Sequence, residues 1–198
     1  MEGLLYVLDQ LWKAYAPIVL FAASLIGIFF LLRRRTKKRL LILDMNKLLV
    51  FRAFQFEGDP KGSILLGQHR TWIRPKVQIF LDFCFQNYDV AVWSSANAKN
   101  LDALIGPVIG PYRNRLVFIW SQEECERIET GKEKPLFKKP LSKVVQKFDY
   151  FMEEILIIDD SPEKMVDNPT NCVLITKEWK NNKEEETLED IIKSISVK

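Results

Sequence analysis

Residues 40–49 read LLILDMNKLL, four apolar residues followed by polar positions at Asp44 and Asn46. A short unbroken apolar run of this kind is typical of a strand buried in a parallel sheet. Similar runs occupy residues 90–95 (VAVWSS) and 155–160 (ILIIDD), and each ends in polar residues. Amphipathic stretches separate the runs, and this alternation predicts an α/β fold with a doubly wound parallel sheet.

The remaining patterns place further elements around this sheet. Apolar runs and helical periodicity predict strands at 116–120 and 172–176 and helices at 76–87, 97–105 and 141–148. Residues 51–73 contain three glycines and a proline and predict a small flap or hairpin. We expect the main domain to cover residues 37–180, followed at 181–198 by a polar tail with a short amphipathic helix.

The N-terminal part of the chain has a different pattern. No charged residue occurs between Ala14 and Leu32, and six basic side chains follow between Arg33 and Arg39. As a helix, the apolar run would be roughly 28 Å long, close to the hydrocarbon thickness of a bilayer. A cleaved signal peptide or a buried core helix fits this pattern less well. We therefore predict that residues 1–36 form one transmembrane helix with its basic flank, and the positive-inside rule places the main domain in the cytosol.

The composition narrows the choice of partners. The formal net charge of the 198 residues is +3, but residues 33–39 alone contribute six positive charges, so the remainder is slightly acidic. That basic run contains no aromatic residue, and we assign it to the membrane flank and expect no nucleic-acid partner. Cys84, Cys125 and Cys172 are widely spaced, which favours reduced, buried thiols over a zinc site or a disulfide frame.

Polar side chains follow three of the predicted strands, namely Asp44, Ser94 and the Asp159–Asp160 pair. In open parallel sheets, ligands bind beyond the carboxyl ends of the strands, so we expect these side chains to share one site. A carboxylate at such a position can attack a phosphate monoester and form an aspartyl-phosphate. Repulsion between the anions is offset by a divalent cation with oxygen ligands, which predicts a hard divalent cation as the cofactor.

Four stretches are informative together: LLILDMNKLL at 40–49, WIRP at 72–75, VAVWSS at 90–95 and ILIIDDSPEKMVDNP at 155–169. The first is similar to a DxDxT motif, and the four resemble one branch of the haloacid dehalogenase (HAD) superfamily, the FCP-homology or NLI-interacting-factor-like family. The similarity covers about residues 37–180. The family includes the RNA polymerase II C-terminal-domain phosphatases, and the resemblance implies a HAD-like fold with phosphatase-type chemistry.

The resemblance implies roles for individual residues. Asp44 would be the nucleophile and a magnesium ligand, and Ser94 would bind a phosphoryl oxygen. Lys139 would be the lysine of the third motif, with the neighbouring Lys138 as a rival. Asp160 would bind the metal directly, with Asp159 supporting it.

The first motif departs from the family pattern at two positions. Asn46 stands where the second aspartate acts as general acid and base, although its backbone carbonyl would still bind the metal. A primary amide does not titrate near neutrality, so we expect turnover to fall by about 10²–10⁴-fold. Leu48 replaces the usual threonine, and we interpret Lys47 as a solvated lysine at the end of the strand. His69, the single histidine of the chain, is a candidate substitute acid.

Two functions follow from this pattern. The first is a Mg²⁺-dependent phosphatase-like protein with impaired catalysis that acts on phosphoproteins at the cytosolic face of the endoplasmic reticulum or nuclear envelope. The second is an inactive binding module for a protein partner, similar to the mitochondrial inner-membrane translocase subunit of the same family. The basic flank and the absence of an arginine-rich, acid-poor N-terminus argue against the mitochondrial version.

Overall fold

The computed structural model describes residues 11–26, 28, 38–54, 61–131, 135–181 and 186–197. The chain forms two compact units, Met1–Lys38 and Arg39–Lys198. In the first unit, residues 11–26 form helix α1, whose side chains are almost all exposed.

The predicted transmembrane run at 14–32 lies partly in α1. Within the part of the chain that the structure describes, no helix has both the length and the apolar content needed to cross a bilayer. Residues 27 and 29–32 of the predicted run, and 33–37 of the basic cluster, lie outside the described residues. The membrane anchor therefore stays a prediction.

Among the described residues, the second unit contains the strands and four further α-helices. In chain order the strands are β1 Leu40–Leu43, β2 Val50–Phe54, β3 Ile64–Leu66, β4 His69–Ile73, β5 Asp89–Trp93, β6 Ile119–Trp120, β7 Glu126–Ile128, β8 Leu136–Lys138, β9 Ile155–Asp159 and β10 Val173–Ile175. The helices are α2 Val77–Asn87, α3 Ala98–Ile109, α4 Ser142–Lys147 and α5 Leu188–Val197.

Five of these strands form a parallel sheet in the order β10-β9-β1-β5-β6. All four residues of the central strand β1 are fully buried, which explains its unbroken apolar run. Leu41 and Leu43 pack into a core that also contains residues of α2, α3 and α5. Leu40 and Ile42 pack into a second core, which includes Val144 of α4. The prediction of an α/β fold with a parallel sheet is confirmed.

The predicted flap is a three-stranded antiparallel sheet in the order β2-β4-β3. It follows directly from the first motif, because β2 begins at Val50. Directly after β4, Arg74 is 2 % exposed and donates hydrogen bonds to the carbonyl oxygens of Leu48 and Glu186. This guanidinium joins the first motif to the segment that leads into α5.

Several predicted boundaries were wrong. Helix α3 was expected to end at residue 105 but continues through Pro107 to Ile109, because Val108 and Ile109 are buried in the core. It begins as predicted after Asn97, whose side chain accepts a hydrogen bond from the backbone N–H of Asn100. The predicted strand at 116–120 is only two residues long, and the short β7–β8 hairpin was not predicted.

Candidate active site

The parallel register brings the polar ends of the strands to one edge of the sheet. Leu43 lies opposite Ile158 of β9 and opposite Val92 of β5. The backbone N–H of Asp44 then donates a hydrogen bond of 3.0 Å to the carbonyl oxygen of Ile158. Asp44, Asp159 and Ser94 therefore follow adjacent strands at the same edge.

Three carboxylates meet at this edge. One oxygen from each of Asp44, Asp159 and Asp160 lies within 4.8 Å of the other two. The three residues are 2 %, 0 % and 8 % exposed, respectively. Buried carboxylates this close together repel one another, so the arrangement requires cations.

Lys139 supplies one of these cations. Its Nζ donates hydrogen bonds of 2.8 Å to Asp44 Oδ1 and 2.6 Å to Asp159 Oδ2, and the residue is fully buried. The rival Lys138 instead pairs with Asp167, whose side chain is more than half exposed. The structure thus brings Lys139, and not Lys138, to the carboxylates.

The loop after β8 holds Lys139 in place. The backbone N–H of Lys139 donates to the carbonyl oxygen of Lys164 at 3.0 Å. The side-chain amide of Asn168 donates to the carbonyl oxygen of Lys139 at 2.9 Å and accepts from the N–H of Leu141 at 2.8 Å. Both partners belong to the stretch 155–169, which therefore supports the lysine as well as supplying two carboxylates.

The charged groups around Lys139 shift one another's pKa values. Burial opposes the charged form of Lys139, but Asp159 and Asp44 raise its pKa above the ordinary value. Burial also opposes ionisation of Asp159, yet Lys139 and Lys164 hold the pKa of this carboxyl below its usual range. Asp44 has its pKa raised by burial, a shift that Lys139 opposes and Asp159 reinforces. Lys139 therefore favours the ionised form of both carboxyls, and at Asp44 burial outweighs its effect.

Asp160 is the carboxylate with the weakest compensation. Burial and the neighbouring Asp159 and Asp44 raise its pKa to about 6. Lys164 and Lys47 oppose this rise, and the Nζ of Lys47 lies 3.8 Å from Asp160 Oδ2. Asp160 also accepts a hydrogen bond of 3.2 Å from the hydroxyl of Ser161.

Lys47 is not the freely solvated lysine that the sequence suggested. Besides its approach to Asp160, its Nζ donates a hydrogen bond of 2.7 Å to Glu178 Oε1. Its backbone carbonyl accepts a hydrogen bond of 2.8 Å from the N–H of Trp179. These partners lie more than 110 residues away in sequence, so no local pattern could have indicated them.

Ser94 lies at the end of β5 and is 2 % exposed. Its backbone N–H donates to the carbonyl oxygen of Trp120 at 2.9 Å, which fixes the strand end. Its hydroxyl oxygen accepts a hydrogen bond of 3.3 Å from the N–H of Ala96. The hydroxyl hydrogen is thus available for a ligand oxygen.

The two unusual positions of the first motif have different surroundings. Asn46 forms a short bridge with Val50, and its side-chain Oδ1 is buried with no hydrogen-bond partner among the described residues. Leu48 is fully buried, and its side chain packs in the hydrophobic core. It offers no hydroxyl to the site. Because an unpaired buried oxygen is costly, Asn46 Oδ1 is suited to receive a donor or a cation.

His69 belongs to the flap. It lies on β4, and its ring stacks on Phe54 of β2 with centroids 4.9 Å apart. Burial and the charge of Arg52 lower its pKa below the ordinary value, which makes it a poorer cation at neutral pH. Among the described residues its contacts are within the flap, and the structure does not bring it to Asp44.

The donor set fits a hard divalent cation. Three carboxylates converge, and Asn46, whose backbone carbonyl the resemblance assigns to the metal, lies two residues from Asp44 in the same loop. Oxygen donors of this type suit Mg²⁺ better than softer metals that prefer nitrogen or sulfur. The residues present could therefore hold Mg²⁺ through Asp44 and Asp160, with Asp159 and Asn46 completing the set.

The contact of Lys164 with the site was also not predicted from the sequence. Lys164 lies 3.7 Å from Asp159 Oδ1 and adds a third ammonium group to the site. It belongs to the stretch ILIIDDSPEKMVDNP, so its proximity to the carboxylates in sequence was the available signal.

Comparison with curated proteins finds distant relatives. The chain is 23 % identical over 153 residues to an uncharacterized FCP1 homology domain-containing protein of Schizosaccharomyces pombe, covering 70 % of this chain and 61 % of that protein. It is 24 % identical over 146 residues to the ubiquitin-like domain-containing CTD phosphatase 1 of Homo sapiens, covering 71 % and 42 %. The chain thus spans less than two thirds of the length of either relative.

Solved structures show the same fold. The structure of the fission yeast RNA polymerase II CTD phosphatase Fcp1 bound to beryllium fluoride matches with a TM-score of 0.53 at 15 % identity, covering 83 % of this chain and 51 % of that chain. A second Fcp1 structure matches with the same score and identity. The profile of the NLI interacting factor-like phosphatases matches residues 39–196, and the chain therefore belongs to this phosphatase family.

Proposed function

We propose that this protein is a Mg²⁺-dependent phosphatase-type protein that acts through an aspartyl-phosphate on Asp44, with slow turnover. The observation that carries this proposal is the buried contact of Lys139 with Asp44 and Asp159, beside Asp160 at the strand ends. A strand-end carboxylate that contacts a buried ammonium group is placed to act as a nucleophile in its ionised form. The bound Mg²⁺ would offset the repulsion between the carboxylates and the incoming phosphate.

Three residues of this chain act in the first step, which transfers the phosphoryl group to Asp44. An oxygen of Asp44 attacks the phosphorus, a new O–P bond forms, and the ester O–P bond breaks. Lys139 and the hydroxyl of Ser94 can bind the phosphoryl oxygens, whose negative charge they offset. The alcohol oxygen leaves with the bonding electron pair and must take up a proton.

Asn46 limits both steps. Its amide cannot give a proton to the leaving oxygen, nor can it take one from the water that hydrolyses the aspartyl-phosphate. Loss of general acid–base help costs about 10²–10⁴-fold in rate. Substrates with good leaving groups depend less on the missing proton, so the first step would survive better than the second.

The proposed substrates are phosphoproteins at a membrane surface. The relatives named above include phosphatases of the RNA polymerase II CTD, which is a phosphoprotein substrate. Membrane attachment would come from the apolar N-terminal run, because Ile18, Leu20 and Phe21 of α1 are each more than 60 % exposed. An exposed apolar helix is stabilised by a lipid phase. The basic run at 33–39 favours a cytosolic domain on the endoplasmic reticulum or nuclear envelope.

A phosphoryl mimic tests the nucleophile without requiring turnover. Beryllium fluoride binds an aspartate oxygen in the geometry of a phosphoryl group. With Mg²⁺ and beryllium fluoride together, the melting temperature of the full chain should rise by several degrees, and Asp44→Asn should abolish the rise. An equal rise in the Asp44→Asn variant, or no rise in the wild type, would contradict the proposal.

A non-catalytic binding module is the second candidate function. The observation that favours it is the sequence of the first motif. Asn46 stands in place of the general acid, and Leu48 is buried in the core. On this alternative, Asn46→Asp would leave the protein without phosphatase activity. The module would then use the same pocket to bind a protein partner, as a translocase subunit of the same family would.

A further inference from the structure

Lys47 is held rigidly next to the carboxylates. Its backbone lies in the left-handed region with φ 65°, which is uncommon for a residue with a β-carbon. Its N–H donates to the carbonyl oxygen of Val50 at 2.5 Å, and its carbonyl accepts from the N–H of Trp179 at 2.8 Å. Because the N–H and the carbonyl of Lys47 are both hydrogen-bonded, the direction in which its side chain leaves the turn is fixed.

The ammonium group of Lys47 lies between two carboxylates of different surroundings. Its Nζ is 3.8 Å from Oδ2 of Asp160, whose side chain is 3 % exposed. It is 2.7 Å from Oε1 of Glu178, whose side chain is 37 % exposed. The lysine side chain itself is 32 % exposed, so it lies where the buried cluster meets solvent.

The three carboxylates of the described site have cationic partners without any metal. Asp44, Asp159 and Asp160 contribute three negative charges. Three ammonium groups face them: Lys139 bonds to the first two, Lys164 lies 3.7 Å from Asp159, and Lys47 lies 3.8 Å from Asp160. A divalent cation therefore meets carboxylates whose charge is already partly offset, which weakens its binding relative to three free carboxylates.

We propose that Lys47 is an internal counter-cation that competes with the divalent metal for Asp160 and lowers the metal affinity of the site. This inference rests on the proposed function, since it concerns the metal that the phosphatase chemistry would use. Glu178 has the complementary role of accepting the ammonium group when the metal takes Asp160. The pair Lys47–Glu178 thus sets the metal concentration at which the site is occupied.

The chain offers a matched control for this proposal. Lys180 pairs with the other oxygen of Glu178, Oε2, at 2.7 Å. Lys180→Met removes the same charge from the same partner as Lys47→Met, but Lys180 has no ion pair with Asp160 among the described contacts. Any effect of net charge alone should therefore be similar in the two variants, whereas competition for Asp160 should disappear only in Lys47→Met.

The test measures metal affinity and not activity. The melting temperature of the full chain is followed as a function of Mg²⁺ concentration, and the apparent Kd is obtained from the linkage relation. Lys47→Met should lower the Kd by about tenfold, equivalent to about 1.4 kcal/mol, while Lys180→Met should stay within about twofold of wild type. Glu178→Gln alone should raise the Kd, because Lys47 then loses its alternative partner. The same change should have little effect on the Kd of the Lys47→Met variant.

Failure of this inference can be distinguished from failure of the proposed function. If the wild type binds Mg²⁺ and Lys47→Met has the same Kd, Lys47 does not compete and only the inference fails. If Lys180→Met gains as much affinity as Lys47→Met, net charge explains the effect and the inference fails as well. If neither wild type nor Lys47→Met responds to Mg²⁺, both the inference and the proposed metal dependence are wrong.

Discussion

The Nζ of Lys139 lies 2.8 Å from Asp44 Oδ1, in an environment where both residues are almost completely excluded from solvent. The same Nζ also bonds to Asp159, so a single ammonium group serves two carboxylates from neighbouring strands. This contact connects residues 95 positions apart in the sequence and makes the site part of the folded core.

Removal of Lys139 should therefore destabilise the protein. Lys139→Met leaves two buried carboxylates without their shared partner, and we expect the free energy of unfolding to fall by about 3–5 kcal/mol. Lys138→Met is the control, because Lys138 pairs with an exposed aspartate and its loss should cost less than about 1 kcal/mol. Urea unfolding of both variants measures the difference, and equal losses would contradict the assignment of Lys139.

The stability of the metal-free protein should depend on pH through Asp160. Its pKa is about 6 in the folded protein against an ordinary value of 3.8, so the folded state binds this proton more tightly than the unfolded chain does. The resulting stabilisation is present below about pH 4 and is lost as the pH rises through 6. We expect a loss of about 1–2 kcal/mol, because solvent screens part of the repulsion.

Asp160→Asn isolates this contribution. Unfolding measured with a chelator between pH 4 and 7 should give a flatter pH profile in the variant than in the wild type. Parallel profiles would show that Asp160 is not the group responsible.

The sheet could be predicted because its sequence signal is local. Buried parallel strands require apolar side chains on both faces, and β1, β5 and β9 each have such a run. The positions of Asp44, Ser94 and Asp159 at the strand ends follow from the same runs. The site residues could thus be nominated before any tertiary contact was known.

The contacts around those residues could not be predicted in the same way. Lys47 reaches Glu178, and Arg74 reaches the carbonyl oxygen of Glu186, only because the C-terminal segment folds back against the first motif. The β7–β8 hairpin has three-residue strands with mixed polarity, which carry too little periodicity to be recognised. Long-range packing, and not local pattern, decides these features.

Membrane attachment is a separate prediction from the sequence. Full-length protein expressed in cells should stay with membranes after washing with carbonate or high salt, whereas residues 37–198 should be recovered in the soluble fraction. Release of the full chain by salt alone would mean that only the basic run binds, through charge. The spanning helix would then be wrong.

The central claim is that Asp44 is a working nucleophile and that Asn46 removes the proton transfer. With Mg²⁺ and an activated aryl phosphate, whose leaving group needs little protonation, rapid quench should detect a burst of about one product per site followed by slow turnover. Asn46→Asp should raise the steady rate by a factor of about 10² or more, and Asp44→Asn should eliminate the burst. Rapid steady turnover of the wild type, unchanged by Asn46→Asp, would contradict this account.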